Sequence, residues 1–337
     1  MRIAIVTDAW RPQPNGVVRV LSTLERHLTE AGHHVGVLSP DQFRTIPCPS
    51  YPEIPLAVLP GRKTARWLDE FAPHAVHIAT EGPLGWAARA WCKRRGRRFT
   101  TAYHTKFPQY VSVRTKLPLR VPYAVVRAFH APSSGVLVPT PTVLDELAGW
   151  GFKNLRLWSH GVDTSVFQPR PKSAFAGLPR PIFLYVGRVT VDKNLPAFLD
   201  LDLPGSKVVV GSGPQREALM RRYPQASFLL ANGDDELGAY FASAVAFVFP
   251  SRTDTFGLVM LEALASGVPV AAFPVPGPLD VIGNSGVGVL SEDLRAAAMA
   301  ALSLPPARCI EHARLFSWAA VARQFVDNLA QEPPHGL

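Results

Sequence analysis

The sequence predicts two α/β domains, each built on a doubly wound parallel sheet with helices on both faces. Two observations predict this class. Short apolar runs alternate with helical stretches through most of the chain, and a proline-rich segment at 167–181 separates two such series. A length of 337 residues accommodates two domains of ordinary size. We therefore predict a first domain over residues 1–165 and a second over 166–317.

The first half contains apolar runs of strand length, and glycine or proline often stands beside them. Gly32, for example, follows the first amphipathic stretch, where a helix C-cap belongs. Strands are predicted at 2–7, 34–39, 56–59, 75–79, 99–103 and 135–138, and helices at 17–31, 64–71 and 84–95.

The second half repeats this alternation. Its most apolar helical stretch ends at Gly267, which suits a left-handed C-cap. Strands are predicted at 182–186, 207–210, 228–230, 245–249 and 268–273, and helices at 196–199, 215–222, 236–242 and 257–265.

Composition narrows the functional class. With 47% hydrophobic and 18% charged residues, the chain is typical of globular proteins. Cys48, Cys92 and Cys309 are too few and too scattered for a disulfide framework, which favours a reducing compartment. Residues 3–6 form too short an apolar run for a secretory signal, and no run of 18 apolar residues occurs. We expect a cytoplasmic location.

The net charge of +9 is concentrated in the first half. Residues 1–165 hold 21 basic and 11 acidic residues, a balance of +10, and residues 166–337 hold 14 and 15, a balance of −1. The segment from Gly82 to Leu144 contains eleven basic residues and no acidic one. This asymmetry predicts an anionic partner for the first half.

One acid in the second half stands out because its surroundings are apolar. Glu262 lies among Leu258, Leu261 and Ala265 at helical spacing, on a helix that is apolar nearly all round and is therefore expected to be buried. A buried carboxylate needs hydrogen-bond donors, which the vicinal hydroxyls of a ribose or a neighbouring protein group would supply. The start of this helix follows a strand, where bare N–H groups attract phosphate.

The segment around Glu262 carries a family resemblance. Asp254 and Glu262 are eight positions apart, and SRTDTFGLVMLEALASGVPVAAFPVPGPLDVI resembles the Glu-x7-Glu region of retaining family-4 glycosyltransferases with the GT-B fold. It is most similar to the subgroup of sulfolipid synthases and GDP-mannose-dependent α-mannosyltransferases. The resemblance implies two Rossmann-like domains facing across a cleft, with a last helix near 318–330 packed back on the first domain. Asp254 replaces the commoner Glu, which leaves the donor sugar open.

The resemblance also implies roles in the second domain. Glu262 would bind the ribose, Arg188 and Lys193 the diphosphate, and the amides of Leu258 and Val259 would lie near phosphate. Two cations after one strand suit a departing diphosphate, although they would equally suit a solvated loop. The residues predicted to lie against the sugar form one turn, Asp254, Thr255, Phe256 and Gly257.

Weaker matches complete the predicted site. The glycine-rich turn of Gly211 and Gly213 follows a strand and by resemblance lies beside the nucleotide, although such turns mostly mark tight backbone. The loop containing Asn15 and Gly16 resembles the family's loop near the donor phosphates and the acceptor. His104, a lone histidine after a strand, matches a histidine that binds and polarises hydroxyl groups.

A basic and partly apolar surface is predicted to reach the acceptor. Basic residues contribute about 1 kcal/mol each near an anionic leaflet, and apolar side chains can enter the interface. A solvated face over a packed helix is the structural alternative, and a nucleic-acid surface has no support beyond charge. Together with Asn15, the residues predicted to contact the acceptor or the membrane are Lys93, Arg94, Arg95, Arg97, Arg98, Lys106, Arg114, Lys116 and Arg120.

These expectations describe a retaining glycosyltransferase at the inner face of the plasma membrane. It would move a hexose from a UDP- or GDP-sugar to a lipid such as diacylglycerol, and domain closure would limit donor hydrolysis. No cofactor, metal or nucleic acid is expected, and Asp200 and Asp202 are interpreted as surface residues despite their D-x-D spacing. The alternatives are a sugar-nucleotide epimerase of similar fold and a nucleotide-sugar-binding protein without turnover.

Overall fold

The chain folds into two compact units. The computed structural model describes residues 1–13, 15–48 and 51–329, without the side chains of residues 51–53, 113 and 114. Residues 1–159 and the C-terminal segment from Trp318 form unit 1, and residues 160–317 form unit 2. The structure therefore divides the chain after Ser159, somewhat before the predicted boundary at residue 165.

Unit 1 contains eight strands and seven helices within the described residues. The strands are β1 (Arg2–Val6), β2 (His34–Leu38), β3 (Thr45–Cys48), β4 (Tyr51–Ala57), β5 (Ala75–Ile78), β6 (Thr100–Ala102), β7 (Gly135–Val138) and β8 (Leu155–Leu157). The helices are α1 (Gly16–Glu30), α2 (Gly61–Phe71), α3 (Pro83–Arg94), α4 (Phe107–Thr115), α5 (Arg120–His130), α6 (Pro141–Gly149) and α14 (Trp318–Asn328).

The parallel sheet of unit 1 has the order β2-β1-β5-β6-β7-β8. Its central strands are buried, as expected for strands covered by helices on both faces. The strand predicted at 56–59 was wrong in extent and partner, because β4 ends at Ala57 and pairs antiparallel with β3 outside this sheet. Sequence analysis did not identify β3, β8, α4, α5 or α6.

Helix α14 completes unit 1. Its first residue, Trp318, stacks on His27 of α1 with ring centroids 6.4 Å apart. The indole nitrogen of Trp158 donates a hydrogen bond to the Val321 carbonyl over 3.3 Å, and Arg156 donates to the Asn328 carbonyl over 3.0 Å. The helix predicted at 318–330 is thus part of unit 1.

Unit 2 contains six strands and seven helices. The strands are β9 (Ile182–Val186), β10 (Ser206–Val210), β11 (Ser227–Leu229), β12 (Ala246–Phe249), β13 (Val270–Ala272) and β14 (Gly288–Leu290). The helices are α7 (Pro196–Leu199), α8 (Arg216–Arg222), α9 (Asp234–Ser243), α10 (Leu258–Ala265), α11 (Pro278–Val281), α12 (Leu294–Ala301) and α13 (Pro306–Ala313). Residues 283–317, for which no element was predicted, supply β14, α12 and α13.

Both sheets reverse their strand order at one point. In unit 2 the order is β11-β10-β9-β12-β13-β14, and all of these pairs are parallel. The chain runs outward from β9 in one direction and from β12 in the other. In unit 1 the corresponding reversal lies between β1 and β5. Ligands of open α/β sheets bind beyond the carboxyl ends of the strands at such switch points.

No described helix combines the length and the apolar character that crossing a lipid bilayer requires.

Candidate functional site

The predicted donor residues of unit 2 lie at its switch point. Arg188 and Lys193 follow β9, and Asp254 follows β12, so all three stand at the carboxyl edge between the two central strands. Backbone and side-chain bonds tie the two loops together. Asn194 donates from Nδ2 to the Pro250 carbonyl over 3.2 Å, and Ser251 donates from Oγ to the Asp192 carbonyl over 3.4 Å.

An ion pair joins the two loops directly. Lys193 Nζ donates a hydrogen bond to Asp254 Oδ1 and lies 4.0 Å from Asp192 Oδ2. These three side chains are each about one-fifth exposed, at 19%, 18% and 20% respectively. Within the described part of the chain, Asp254 Oδ2 is buried without a hydrogen-bond donor. The structure therefore places the predicted diphosphate-binding lysine against the acid predicted to face the sugar.

A buried tyrosine fixes the backbone beside this pair. Tyr185, in β9, donates its hydroxyl hydrogen to the Arg188 carbonyl over 2.9 Å. Burial raises the pKa of Tyr185 well above its usual range, and the negative charges of Asp254 and Asp192 add to the rise. The phenol therefore stays neutral and keeps donating to the loop that carries Arg188. The Arg188 side chain itself is half-buried.

The glycine-rich turn after β10 serves backbone packing. Gly211 has φ +146°, and a Cβ there would lie 2.0 Å from the Gly187 carbonyl oxygen. Gly213 has φ +152°, and its Cβ would lie 2.5 Å from the Val189 carbonyl oxygen. Both glycines are thus required for close contact between the loops after β9 and β10. This contact accounts for them without any ligand.

Helix α10 begins with an open first turn. Its N-cap, Gly257, has φ +84°, and among the described residues no side chain caps the first turn, which also contains no acid. The amide groups of Leu258 and Val259 therefore start the helix with partial positive charge that suits an anion. One turn further on, Glu262 is buried, with 4% of its surface exposed, as the sequence predicted.

Phe256, in the turn predicted to lie against the sugar, has a buried side chain. The ring is 3% exposed and packs on His160 with centroids 4.9 Å apart. It also contacts the ring of Phe316 at 6.3 Å. An aromatic ring in this apolar cluster leaves only the backbone of Phe256 available to a ligand. The neighbouring Thr255 is half-buried.

The predicted residues of unit 1 lie beyond its strands. Asn15 caps α1, because its Oδ1 accepts a hydrogen bond from the Val18 amide over 3.0 Å. Gly16 is the first residue of that helix, and Pro14 of the same motif lies outside the described residues. His104, which follows β6, is half-buried, and its ring meets Trp158 edge-on at 5.8 Å.

The basic surface is smaller than predicted. Lys106 is wrong as a surface residue: it is 7% exposed, and its Nζ bonds Glu146 over 2.7 Å. Arg95 pairs with Asp69 over 2.8 Å, and these acids come from helices outside the acid-free segment.

Other members of this predicted set differ from one another in exposure. Arg97 is half-buried and donates to the Pro73 carbonyl over 2.6 Å. The side chain of Arg114 lies outside the described part of the chain. The basic residues that are exposed as predicted are Lys93, Arg94, Arg95, Arg98, Lys116 and Arg120.

Sequence analysis missed two acids at the switch point of unit 1. Asp8 follows β1 and is 5% exposed, and Glu81 follows β5 and is about one-fifth exposed. Burial raises the pKa of Asp8, and Glu81 adds to the rise, whereas bonds from the Leu84 amide and the Thr80 hydroxyl oppose it. The signal available in the sequence was the polar Thr80-Glu81-Gly82 turn directly after a buried strand.

Comparison with known proteins identifies the family. A model described as Glycosyltransferase Family 4 matches residues 14–166, and one described as Glycosyl transferases group 1 matches residues 180–304. The chain belongs to the family-4 glycosyltransferases. The donor and acceptor residues predicted from the sequence, from Asn15 to Glu262, all lie within the two matched regions.

Several relatives of this glycosyltransferase make glycolipids or mannosides, as their names state. It is 29% identical over 316 residues to a GDP-mannose-dependent alpha-mannosyltransferase of Mycobacterium tuberculosis, covering 86% of this chain and 83% of the relative. It is 32% identical over 286 residues to sulfoquinovosyl transferase SQD2 of Arabidopsis thaliana, covering 76% and 56%. It is 28% identical over 351 residues to an alpha-monoglucosyldiacylglycerol synthase of Streptococcus pneumoniae, covering 91% and 79%. These relatives are transferases and synthases and give the epimerase alternative no support.

Solved structures confirm the GT-B fold. Sucrose-phosphate synthase from Thermosynechococcus elongatus matches with a TM-score of 0.77 at 22% identity, over 97% of each chain. Anabaena HepE in complex with UDP-glucose matches with a TM-score of 0.73 at 13% identity, over 97% of this chain and 98% of that one. At these identities the likeness establishes the fold alone.

Proposed function

We propose that this glycosyltransferase transfers a hexose from a UDP- or GDP-sugar to a membrane lipid, with retention of anomeric configuration and without a metal ion. The observation that carries the proposal is the grouping at the switch point of unit 2. Lys193 and Asp254 are in contact there, Arg188 stands on the same loop as Lys193, and α10 presents its open first turn after the same strand as Asp254. Switch points are where such folds bind nucleotides.

Each group has a role that follows from its chemistry. As the glycosidic bond breaks, negative charge develops on the diphosphate, and Arg188, Lys193 and the amides of α10 would stabilise it. Glu262, buried on α10, would accept hydrogen bonds from the ribose hydroxyls. Asp254 would accept one from a sugar hydroxyl. The departing phosphate oxygen would take the proton of the acceptor hydroxyl, on the face of the sugar to which the acceptor adds.

A donor panel tests this part of the proposal. Purified protein would be incubated with UDP-glucose, UDP-galactose, UDP-glucuronate or GDP-mannose and a lipid extract, with products identified by mass spectrometry and their anomeric configuration by NMR. Transfer with retention, unaffected by EDTA, is expected. An inverted product would refute the retaining assignment, and loss of activity with EDTA would refute metal independence.

Product analysis also separates the alternatives. An epimerase would change the sugar nucleotide without lipid, and a binding protein would bind the donor without forming product. Either result would refute the transfer reaction and support the corresponding alternative.

The acceptor is proposed from the surface of unit 1 and from the relatives. Helix α5 buries Tyr123 and Val126 but exposes Val121 and Val125, which are 42% and 56% exposed. One helix face is therefore apolar and accessible, with Arg120 exposed beside it. Leu117, in the preceding turn, is 44% exposed. An apolar face bordered by cations suits a lipid interface, and a relative bears the name of a diacylglycerol glycolipid synthase.

Flotation with liposomes tests membrane association. Wild-type protein should float with vesicles containing anionic phospholipid at low salt, less at high salt, and weakly with neutral vesicles. Val125→Asp places a charge on the exposed face without touching the core and should reduce flotation several-fold. Glu25→Asp on α1 is the control, because it is a substitution that leaves the charge of the protein unchanged, and it should float like wild type. Flotation with neither kind of vesicle would refute the membrane proposal, and equal flotation with both would refute the contribution of the basic residues to it.

A further inference from the structure

A fixed carboxylate stands at the switch point of unit 1. Glu81 follows β5, and the neighbouring strand β1 leads to the loop that ends at Asn15. The Glu81 side chain is 20% exposed and stands at the edge where α/β sheets bind ligands. No role was predicted for this residue from the sequence.

A buried histidine fixes the position of the Glu81 carboxylate. His130, the last residue of α5, is 1% exposed, and its Nε2 lies 3.2 Å from Glu81 Oε1. Its Nδ1 lies 2.8 Å from the hydroxyl of Thr101 in β6. An ionised carboxylate can only accept, so Nε2 carries the hydrogen and donates it to Glu81. The histidine is fixed at both ring nitrogens and thereby fixes one carboxylate oxygen.

The loop that carries Glu81 is also fixed from the side of β1. Asp8 accepts hydrogen bonds from the Thr80 hydroxyl over 2.8 Å, the Leu84 amide over 2.9 Å and the Gly85 amide over 3.4 Å. A Cβ at Gly82 would lie 2.4 Å from Asp8 Cγ, so this carboxylate fills the space beneath the turn. Asp8 is therefore committed to positioning the start of α3, and Glu81 is the acid of this turn that remains accessible.

We infer that Glu81 binds a hydroxyl group of the acceptor that is not the reacting one, and that His130 is its positioning residue. This inference rests on the proposed function, in which the reacting hydroxyl gives its proton to the departing phosphate. That hydroxyl cannot donate the same proton to Glu81. The hydroxyl that Glu81 binds is therefore a second one, which diacylglycerol lacks and a lipid with a hexose head group supplies. The acceptor class is a glycosylated lipid.

Competing acceptors test the inference. Initial rates would be measured in mixed micelles with dioleoylglycerol and with glucosyl-dioleoylglycerol, using the donor found active in the panel. Wild type should show the higher kcat/KM with the glucosyl lipid. Glu81→Ala should lower that value about 10- to 100-fold, the worth of one hydrogen bond to a charged group, and leave dioleoylglycerol unchanged. The ratio between the two acceptors is the readout, because a general structural defect lowers both values together.

Two further variants complete the design. His130→Asn should change the acceptor ratio in the same direction by a smaller factor, since Glu81 stays present but loses its fixed position. Asp69→Ala removes a carboxylate of unit 1 that pairs with Arg95 on the surface, and it should leave the ratio unchanged. Thermal unfolding of each variant reports folding.

The outcomes distinguish this inference from the proposed function. Transfer to both lipids with an unchanged ratio in Glu81→Ala would overturn the role of Glu81 and leave the glycosyltransferase proposal intact. A wild type that prefers dioleoylglycerol would overturn the acceptor class. No transfer to either lipid from any donor would refute the proposed lipid acceptor, and the inference would fail with it.

Discussion

Replacing Lys193 by alanine should weaken nucleoside diphosphate binding about 100-fold. A hydrogen bond to a charged group contributes about 1.5–3 kcal/mol, and about 1.4 kcal/mol corresponds to a factor of ten. The structure places the effect at the upper end of this range. Lys193 lies against Asp254 and 4.0 Å from Asp192, so its removal leaves two carboxylates beside the diphosphate without their cation.

Isothermal titration calorimetry with UDP and with GDP measures this effect. The matched control is Lys172→Ala, which removes another lysine of unit 2, one that donates a hydrogen bond to the Ala244 carbonyl over 2.9 Å. Lys172→Ala should bind the nucleotide as tightly as wild type. Equal nucleotide affinity in Lys193→Ala and wild type, with both proteins folded, would refute the assignment of Lys193 to the diphosphate.

Replacing Asp254 by asparagine should have the opposite effect on binding. In the structure Lys193 donates to Asp254, so a diphosphate must compete with this carboxylate for the lysine. Asp254→Asn removes the competing charge and should tighten UDP or GDP binding several-fold while lowering sugar transfer. Weaker nucleotide binding in Asp254→Asn would contradict the competition. In the Lys193→Ala background Asp254→Asn should still tighten binding, because it removes one of the two carboxylates left without their cation, but competition for the lysine no longer contributes, so the two substitutions should not be additive.

Three other substitutions test the framework. Gly213→Ala should lower the free energy of unfolding by about 1–3 kcal/mol in urea titrations, because its Cβ would lie 2.5 Å from the Val189 carbonyl oxygen. Burial lowers the pKa of His77 to about 3. Below pH 6.5 the unfolded chain therefore binds a proton that the folded chain excludes. The free energy of unfolding of wild type should fall by about 1.4 kcal/mol per pH unit relative to that of His77→Gln. Parallel pH profiles of the two proteins would contradict this. Glu146→Ala should lower the free energy of unfolding by about 3–5 kcal/mol, since Lys106 is 7% exposed and would lose its carboxylate partner. A change below about 1 kcal/mol would be inconsistent with a buried ion pair.

The sequence predicted the elements that carry the candidate site of unit 2 because their signals are local. Ile182–Val186 is a fully buried strand of five apolar residues, and the loop that follows carries Arg188 and Lys193. The helix around Glu262 is apolar on nearly every side, which by itself predicts a buried acid. Such features require no knowledge of distant segments.

The errors arose where the deciding partner is distant in sequence. Lys106 was assigned to the surface because no acid occurs nearby in the chain, but Glu146 on α6 neutralises it 40 residues later. The strand ending at Ala57 has the same apolar pattern as the other predicted strands, yet it pairs antiparallel with β3. A strand's pairing partner depends on its tertiary contacts, which its local sequence does not show.

Net charge and site chemistry therefore have to be treated separately in this protein. Residues 166–337 carry a balance of −1, and still this half holds the proposed diphosphate site, because two cations and a helix N-terminus converge at one switch point. The balance of +10 in residues 1–165 is spread over a surface from which the buried Lys106 is absent. Long-range attraction to an anionic membrane depends on the sum of charges, whereas binding of a diphosphate depends on the placement of a few. The salt dependence of flotation should accordingly be steep, and that of nucleotide binding, which relies on partly buried groups, should be shallow.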